Sequence, residues 1–232
     1  MILDILASNN TALKINITSP DAISHFFAPQ SYINTILNEQ INRDKIYDFF
    51  FNGKKDLTIL DAGANVGIFS VFCSPSSKQI YAIEPTPSHF NILQEVVAPF
   101  SNIKPINCAV WKNDENLRFY IVDHNTTSNS AVSPTNNYVE VTGKKIQTII
   151  SENNIEHVDL IKMDIEGSEF EVVNDELLQF AYPIIDNWFL EVHTYPQYCY
   201  NFNQCREIMI SKFNNHGYKT ENKGNDGLFI YK

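Results

Sequence analysis

The stretch Leu57-Thr58-Ile59-Leu60-Asp61-Ala62-Gly63-Ala64-Asn65-Val66-Gly67 restricts the fold of this chain more than any other part of it. Its apolar run reads as a buried strand, and the amphipathic Ile68-Phe69-Ser70-Val71-Phe72 that follows reads as a helix opening near Val66. Between the two, Gly63 and Gly67 carry no Cβ, so the backbone can bend sharply and a ligand can lie against it. A helix opening beside such a turn presents free N–H groups and the positive end of its dipole. This is the geometry of a nucleotide-type site at the carboxyl end of a first parallel strand.

Two ligand classes use a turn of this kind. A dinucleotide site wants G-x-G-x-x-G, with the middle glycine giving way to a pyrophosphate. Here Asn65 and Ile68 stand where the second and third glycines belong, so one of the three fits. The pattern acid-x-Gly-x-(Gly/Asn)-x-Gly is filled completely by Asp61, Gly63, Asn65 and Gly67. It resembles motif I of class I S-adenosylmethionine (SAM) methyltransferases, whose ligand carries an amino group that Asp61 would meet directly or through water. A strand–turn–helix with no ligand is the plain alternative.

Further along, Gln79–Ile83 reads as a second strand ending at Glu84-Pro85. Glu84 lies 23 residues beyond Asp61, near the offset of about 20 at which an acid reaches ribose hydroxyls. Ser88–Val97 reads as a helix and Ile103–Asn107 as a third strand, with Asn107 and Ala109 where adenine edges are read. Leu117–Val122 and Tyr138–Val141 alternate as a hairpin pair around the polar loop 123–137, and Lys145–Glu152 begins another helix. Val158–Met163 reads as a buried strand, followed by Asp164, Glu166, Gly167 and Glu169 and a helix to about Phe180. One acid caps such a turn. Lys162 with three carboxylates is more than a cap requires. Trp188–His193 makes a fifth strand, Asn203–His216 a helix, and Tyr218–Thr220 with Leu228–Tyr231 a closing antiparallel pair. Alternation of strands and helices at this spacing predicts an α/β fold with a mostly parallel sheet covered on both faces.

The first 55 residues stand outside that pattern. Residues 2–6 and 12–17 read as two short strands around Asn9-Asn10, and apolar positions from Ile33 to Phe50 recur at helical spacing. The expected division is therefore an N-terminal strand/helix appendage, 1–55, and a ligand-binding domain, 56–232. Twenty-seven acids against 17 bases leave a formal charge of −10, which repels phosphate backbones at long range, and no Lys/Arg run supplies a basic track. Cys73, Cys108, Cys199 and Cys205 form no C-x-x-C, so reduced buried thiols are expected rather than structural zinc. The opening MILDILASNN lacks a basic region and carries Asp4, so it does not read as a signal peptide. With no membrane span in sight, a cytoplasmic protein is expected.

Taken in order, DAGANVG, IEPTPSHF, NCAV, LIKMDIEGSEFEV and FLEVH resemble the FkbM family of SAM-dependent methyltransferases over about residues 57–195. KMDIEGSE is the most specific part. The resemblance implies a Rossmann-like, seven-stranded sheet with strand seven antiparallel, and O-methylation of sugars, polyketides or other small hydroxylated molecules. It implies that Asp61, Gly63, Asn65 and Gly67 hold the methionine end and Glu84 the ribose; Ala64 within that turn, Asn107 and Ala109 by their position, and Asp164 complete the expected cofactor-binding set. Asp164 and Glu166 would stand beside the reactive methyl.

A hydroxyl is a poor nucleophile until its proton leaves, and a base within hydrogen-bond reach helps by about 10²–10⁴-fold. Asp164 is expected to orient the acceptor hydroxyl, with His193 or Asp164 removing the proton; Glu166 completes the catalytic set. Asp164, Glu166, Glu191 and His193 would also suit a divalent Mg²⁺ or Mn²⁺ if they converge. Hydrogen bonds to backbone or cofactor are the favoured use of these groups, and no metal ligand is assigned. Two rivals stay open. A nucleic-acid methyltransferase would show a basic track, and N-methylating members carry Asn/Asp-Pro-Pro-aromatic where this chain has Asp164-Ile165-Glu166-Gly167. A SAM-binding scaffold without turnover would not need the acids at both strand ends. The acceptor pocket is expected from residues 20–50, 123–137 and 194–203, a small molecule or glycan being the expected partner.

Overall fold

The computed structural model describes residues 2–8, 12–16, 47–122, 128–195, 197–199, 201–224 and 226–232. The helix expected from Ile33 onward, the Asn9-Asn10 turn and most of the 20–50 pocket segment lie outside them. Strands β1 (Ile2–Leu6) and β2 (Ala12–Asn16) pair antiparallel, and α1 covers Asp48–Phe51. The core then alternates: β3 (Leu57–Ala62), α2 (Ile68–Cys73), β4 (Ser77–Ile83), α3 (Pro87–Val97) and β5 (Ile103–Ile106). After β6 (Ala109–Val110), β7 (Glu115–Tyr120) and β8 (Tyr138–Lys144) come α4 (Ile146–Glu152), β9 (Val158–Met163), α5 (Glu169–Val172) and α6 (Asp175–Ala181). The chain closes with β10 (Ile185–Glu191), α7 (Phe202–Asn214), β11 (Lys219–Lys223) and β12 (Gly227–Tyr231).

Seven strands form the main sheet in the order β11-β12-β10-β9-β3-β4-β5. Strands β10, β9, β3, β4 and β5 pair parallel, and β12 runs antiparallel to both its neighbours. This is the expected Rossmann-like sheet, reached because side chains alternate across each strand. On β3, Leu57 and Ile59 join the aromatic cluster of α1, α2 and α3, whereas Leu60 and Ala62 join the opposite cluster under α4, α6 and α7. Both faces are apolar, so the sheet is covered on both. The charged edge strand β11, Lys-Thr-Glu-Asn-Lys, blunts pairing with other chains.

The structure corrects four expectations. The first helix opens at Ile68 rather than near Val66, because Gly67 takes φ +88° and its N–H returns to the Ala64 carbonyl. The helix expected from Glu169 to Phe180 is two helices, since Asn174 leaves the helical path and caps α6 by accepting from the Leu177 N–H. The fifth strand ends at Glu191, leaving His193 two residues beyond it. Cys199 and Cys205 are joined in a disulfide, not reduced: the loop after β10 brings Cys199 onto the first turn of α7 with Cα atoms 5.4 Å apart, within disulfide reach. Cys73 and Cys108 are buried and free. Among the described residues no helix is long and apolar enough to cross a membrane.

Candidate active site

Strands β3, β4 and β9 end side by side, and their ends are tied together by the turn after β3. The Gly63 and Ala64 N–H groups both donate to the Ile83 carbonyl, at 3.0 and 2.9 Å, and the Asp164 N–H donates to the Ala62 carbonyl at 3.0 Å. The Asn65 N–H, on a residue at φ +50°, donates to Glu84 Oε2 at 2.9 Å. The turn's amides are thus largely spent within the protein, which the motif alone does not reveal. Glu84 is buried, and its other oxygen accepts the Thr86 N–H at 2.8 Å. Burial pushes its carboxyl up to about 7, against the Thr86 and Asn65 amides. The Thr86 hydroxyl also hydrogen-bonds this carboxylate, and His89 Nδ1 stands 3.8 Å from its Oε1. Asn107 donates to the Glu84 and Pro85 carbonyls at 2.9 and 3.2 Å, and Ala109 is buried in the small sheet β6-β8-β7, paired with Gly143.

Register places a buried charge pair at the centre. Asp61 of β3 lies opposite Lys162 of β9 on the same sheet face. The Lys162 Nζ stands 3.8 Å from Asp61 Oδ1 and 3.1 Å from Asp164 Oδ2, and donates to the Gly63 carbonyl at 3.2 Å. Burial would pull the ammonium down, but Asp164 and Asp61 hold it above its ordinary range. Burial raises the Asp61 carboxyl, which Lys162 and a 2.6 Å bond from the Ser70 hydroxyl oppose. Burial would also raise Asp164, yet Lys162 and then His193 keep it below the usual carboxylate range. Two buried oxygens, Asp61 Oδ1 and Asn65 Oδ1, find no hydrogen-bond partner among the described residues.

Past the ends of β9 and β10 a second group assembles. His193 Nδ1 lies 3.0 Å from Glu169 Oε1, and its Nε2 lies 3.5 Å from Glu166 Oε2 and 3.8 Å from Asp164 Oδ1. Glu169 is fully buried, and Oε1 also accepts the Ile165 N–H at 3.0 Å. Burial would lower the imidazole, but Glu169, Asp164 and Glu166 raise it well above its ordinary value. Asp164 beside it, and then burial, push Glu191 up to about 8. Asp164, Glu191 and His193 bring ligand-type atoms within 4.8 Å of one another. The same is true of His157, Asp159 and Asp186 at the opposite end of β9 and β10, where Lys232 already pairs with Asp186 at 2.8 Å.

The predicted residues Asp61, Gly63, Ala64, Asn65, Gly67, Glu84, Asp164, Glu166 and His193 therefore gather around the ends of three neighbouring strands and the chain just beyond β10. Sequence reasoning gave no role to Ser70, Lys162 or Glu169. Lys162 was signalled by its two-residue spacing from Asp164, which puts both on one strand face. Ser130 had no signal at all: its hydroxyl donates to the Glu166 carbonyl at 2.6 Å from a loop 36 residues away. Asn129 reaches Thr86 at 3.4 Å from the same loop, whose residues 123–127 lie outside the described ones. Of the aromatics in the 194–203 segment, Tyr195 is buried, Phe202 packs half-buried against the core, and Tyr198 is 48% exposed, stacked on Phe170 at 5.4 Å; Tyr200 lies outside the described residues.

The charge balance carries a prediction. Glu84 and Glu191 have folded-state values above their unfolded ones, and His193 likewise. In each case the protonated form is the better tolerated, so its contribution is complete below the unfolded value and is lost as pH rises through the folded one. Asp164 and Asp114 work in the opposite sense, but both are fully ionised above about pH 5 in either state. The melting temperature is expected to fall steadily between about pH 5 and pH 8, which calorimetry across that range will check.

Residues 61–220 match the family described as the methyltransferase FkbM domain, more than half of the chain. Methyltransferase 1 of Beauveria bassiana is 26% identical over 206 residues, covering 77% of this chain and 81% of its own. Methyltransferase sdnD of Sordaria araneosa is 26% identical over 173 residues, covering 58% and 66%. The solved fibrillarin of Aeropyrum pernix with natively bound S-adenosyl-L-methionine is similar with a TM-score of 0.48 and 14% identity, over 77% of this chain and 66% of that one. With the family match lying across the strand ends and acids just described, this chain belongs to the FkbM family and is a SAM-dependent methyltransferase.

Proposed function

We propose that the methyl group goes to a hydroxyl of a sugar or another small molecule. The observation that carries this reading is the cluster of Asp164, Glu166, Glu169, Glu191 and His193 beyond β9 and β10. A hydroxyl must shed a proton on methylation, and a cluster rich in carboxylates receives one; an acidic chain of charge −10 disfavours a phosphate-backbone acceptor. SAM, when bound, supplies a methyl group on a sulfonium. Asp61, Gly63, Ala64, Asn65 and Gly67 would hold its methionine end, and Asp61 Oδ1 and Asn65 Oδ1, which accept no hydrogen bond from the described residues, suit the donors of an ammonium group. Glu84 would accept from ribose hydroxyls, while Asn107 braces that strand end. Ala109 would mark the adenine side. Asp164, kept ionised by Lys162, would accept a hydrogen bond from another donor of the acceptor and so align the reacting hydroxyl, which is most of what an in-line displacement asks of an enzyme. Residues 1–55 would be an appendage to the domain 56–232 and supply part of the acceptor pocket.

The test is incubation of the protein with SAM and a panel of sugars, hydroxylated lipids and small molecules, with mass spectrometry for a methyl ether. Transfer only to amines or to RNA would overturn the reading. A second expectation concerns metal. Lys162 already supplies the cation beside Asp164, and the His193 ring fills the space between Asp164, Glu166 and Glu169. Turnover is therefore expected to survive dialysis against EDTA, and a loss restored by Mg²⁺ or Mn²⁺ would refute that.

A further inference from the structure

We infer that Glu166 is the general base that takes the acceptor's proton, with Glu169 and His193 positioning it. This rests on the hydroxyl-acceptor reading above. The groups facing Glu166 are His193 beyond β10, Asp164 and Lys162 on β9 and its end, and Glu169 on α5. The other candidates are each committed elsewhere. Asp164 is tied to Lys162 at 3.1 Å and held below the usual carboxylate range, which makes it a weak base. Glu169 is fully buried, with Oε1 shared between the Ile165 amide and His193. His193 has Nδ1 engaged by Glu169 at 3.0 Å, and its Nε2 faces the carboxylates of Glu166 and Asp164 at 3.5 and 3.8 Å, which favour a proton there. Glu191 shares a hydrogen bond with Asp164 and is held protonated near neutral pH.

Glu166 differs from all of these. Among the described residues no hydrogen bond reaches its carboxylate, and its nearest basic nitrogen is His193 Nε2 at 3.5 Å. Its side chain is 24% exposed, against 13% for Asp164 and none for Glu169, so an acceptor can touch it and a proton can leave from it. Its backbone sits at φ +53°, a left-handed conformation costing a non-glycine residue about 1–2 kcal/mol. Gly167 follows at φ +94°, and the Ser130 hydroxyl holds the Glu166 carbonyl from the facing loop. Strain retained at one side chain of a ligand cleft is characteristic of a working position. Burial, opposed by His193, brings the carboxyl up to about 7, where a base serves best at neutral pH. The chemistry balances: the acceptor oxygen bonds the methyl carbon, sulfur keeps the electron pair of the broken C–S bond, and the hydroxyl proton goes to Glu166 Oε.

The experiment compares wild type, Glu166→Gln and Glu166→Asp in kcat against pH, with adenosylhomocysteine affinity measured by calorimetry. Wild-type kcat should rise with pH through a midpoint near about 7, as Glu166 ionises. Glu166→Gln should lose about 10²–10⁴-fold in kcat together with that limb, while its ligand affinity and melting temperature stay near wild type. Glu166→Asp should keep the limb at a reduced rate. Retention of kcat within about threefold by Glu166→Gln, or transfer of the limb's loss to His193→Ala alone, would overturn the assignment. If wild type binds the cofactor yet yields no methyl ether from any hydroxylated acceptor, the hydroxyl reading itself fails.

Discussion

Replacing Gly63 with alanine will abolish adenosylhomocysteine binding and cost at least about 3 kcal/mol of stability. A Cβ there would stand 1.8 Å from the Asp164 carbonyl oxygen and 2.9 Å from its carbon, at φ +81°. The obstructing atoms are backbone, so no rotamer change relieves them. The ends of β3 and β9 would have to separate, breaking the Asp164 N–H bond to the Ala62 carbonyl and moving Asp164 away from the turn. Gly67→Ala supplies the comparison: its Cβ would meet Leu93 Cδ1 at 2.6 Å, the far end of a flexible side chain, and the loss should be smaller. Denaturant midpoints and calorimetric titration of both variants decide the matter. A Gly63→Ala protein with the wild-type midpoint and normal binding would show that the two strand ends are not packed as described.

Lys162→Met should be the most damaging single charge removal, at about 3–5 kcal/mol. The ammonium is buried between Asp61, which has no exposure, and Asp164, and its loss leaves two carboxylates without their cation. Methionine keeps the length and apolar stem, so the deficit measures the charge. The sign of its pH dependence follows. Without Lys162 both aspartates would have folded-state values above their unfolded ones, so the variant regains stability as pH falls and the acids protonate. Chemical denaturation at about pH 5 and pH 8 should show the smaller difference from wild type at the lower pH. An equal difference at both would mean that Lys162 contributes packing rather than charge. On the role proposed for Asp61 in holding SAM, cofactor affinity should fall with it.

Much of this architecture could be read along the chain. Leu57–Ala62, Gln79–Ile83 and Val158–Met163 declared themselves as strands because short, mostly apolar runs suit a sheet covered on both faces. Gly63 and Gly67 marked the bend because their positive φ excludes other residues at little cost. Helix ends were less legible. Asn174 interrupted an apolar periodicity that by itself continued to Phe180, and only its bond to the Leu177 amide shows that it caps a new helix. The disulfide was invisible for a similar reason, since whether Cys199 and Cys205 meet depends on how the loop after β10 returns to α7.

Sequence by itself determined the kind of sheet, the place of the glycine turn after β3 and the list of acids at the strand ends, because these follow from local periodicity and from residue types with few alternatives. Tertiary structure alone decided which groups each acid meets. Strand register set Asp61 opposite Lys162, the start of α5 buried Glu169 under His193, and a distant loop brought Ser130 to Glu166. Charge interactions depend on distance and burial, and neither is a property of spacing along a chain.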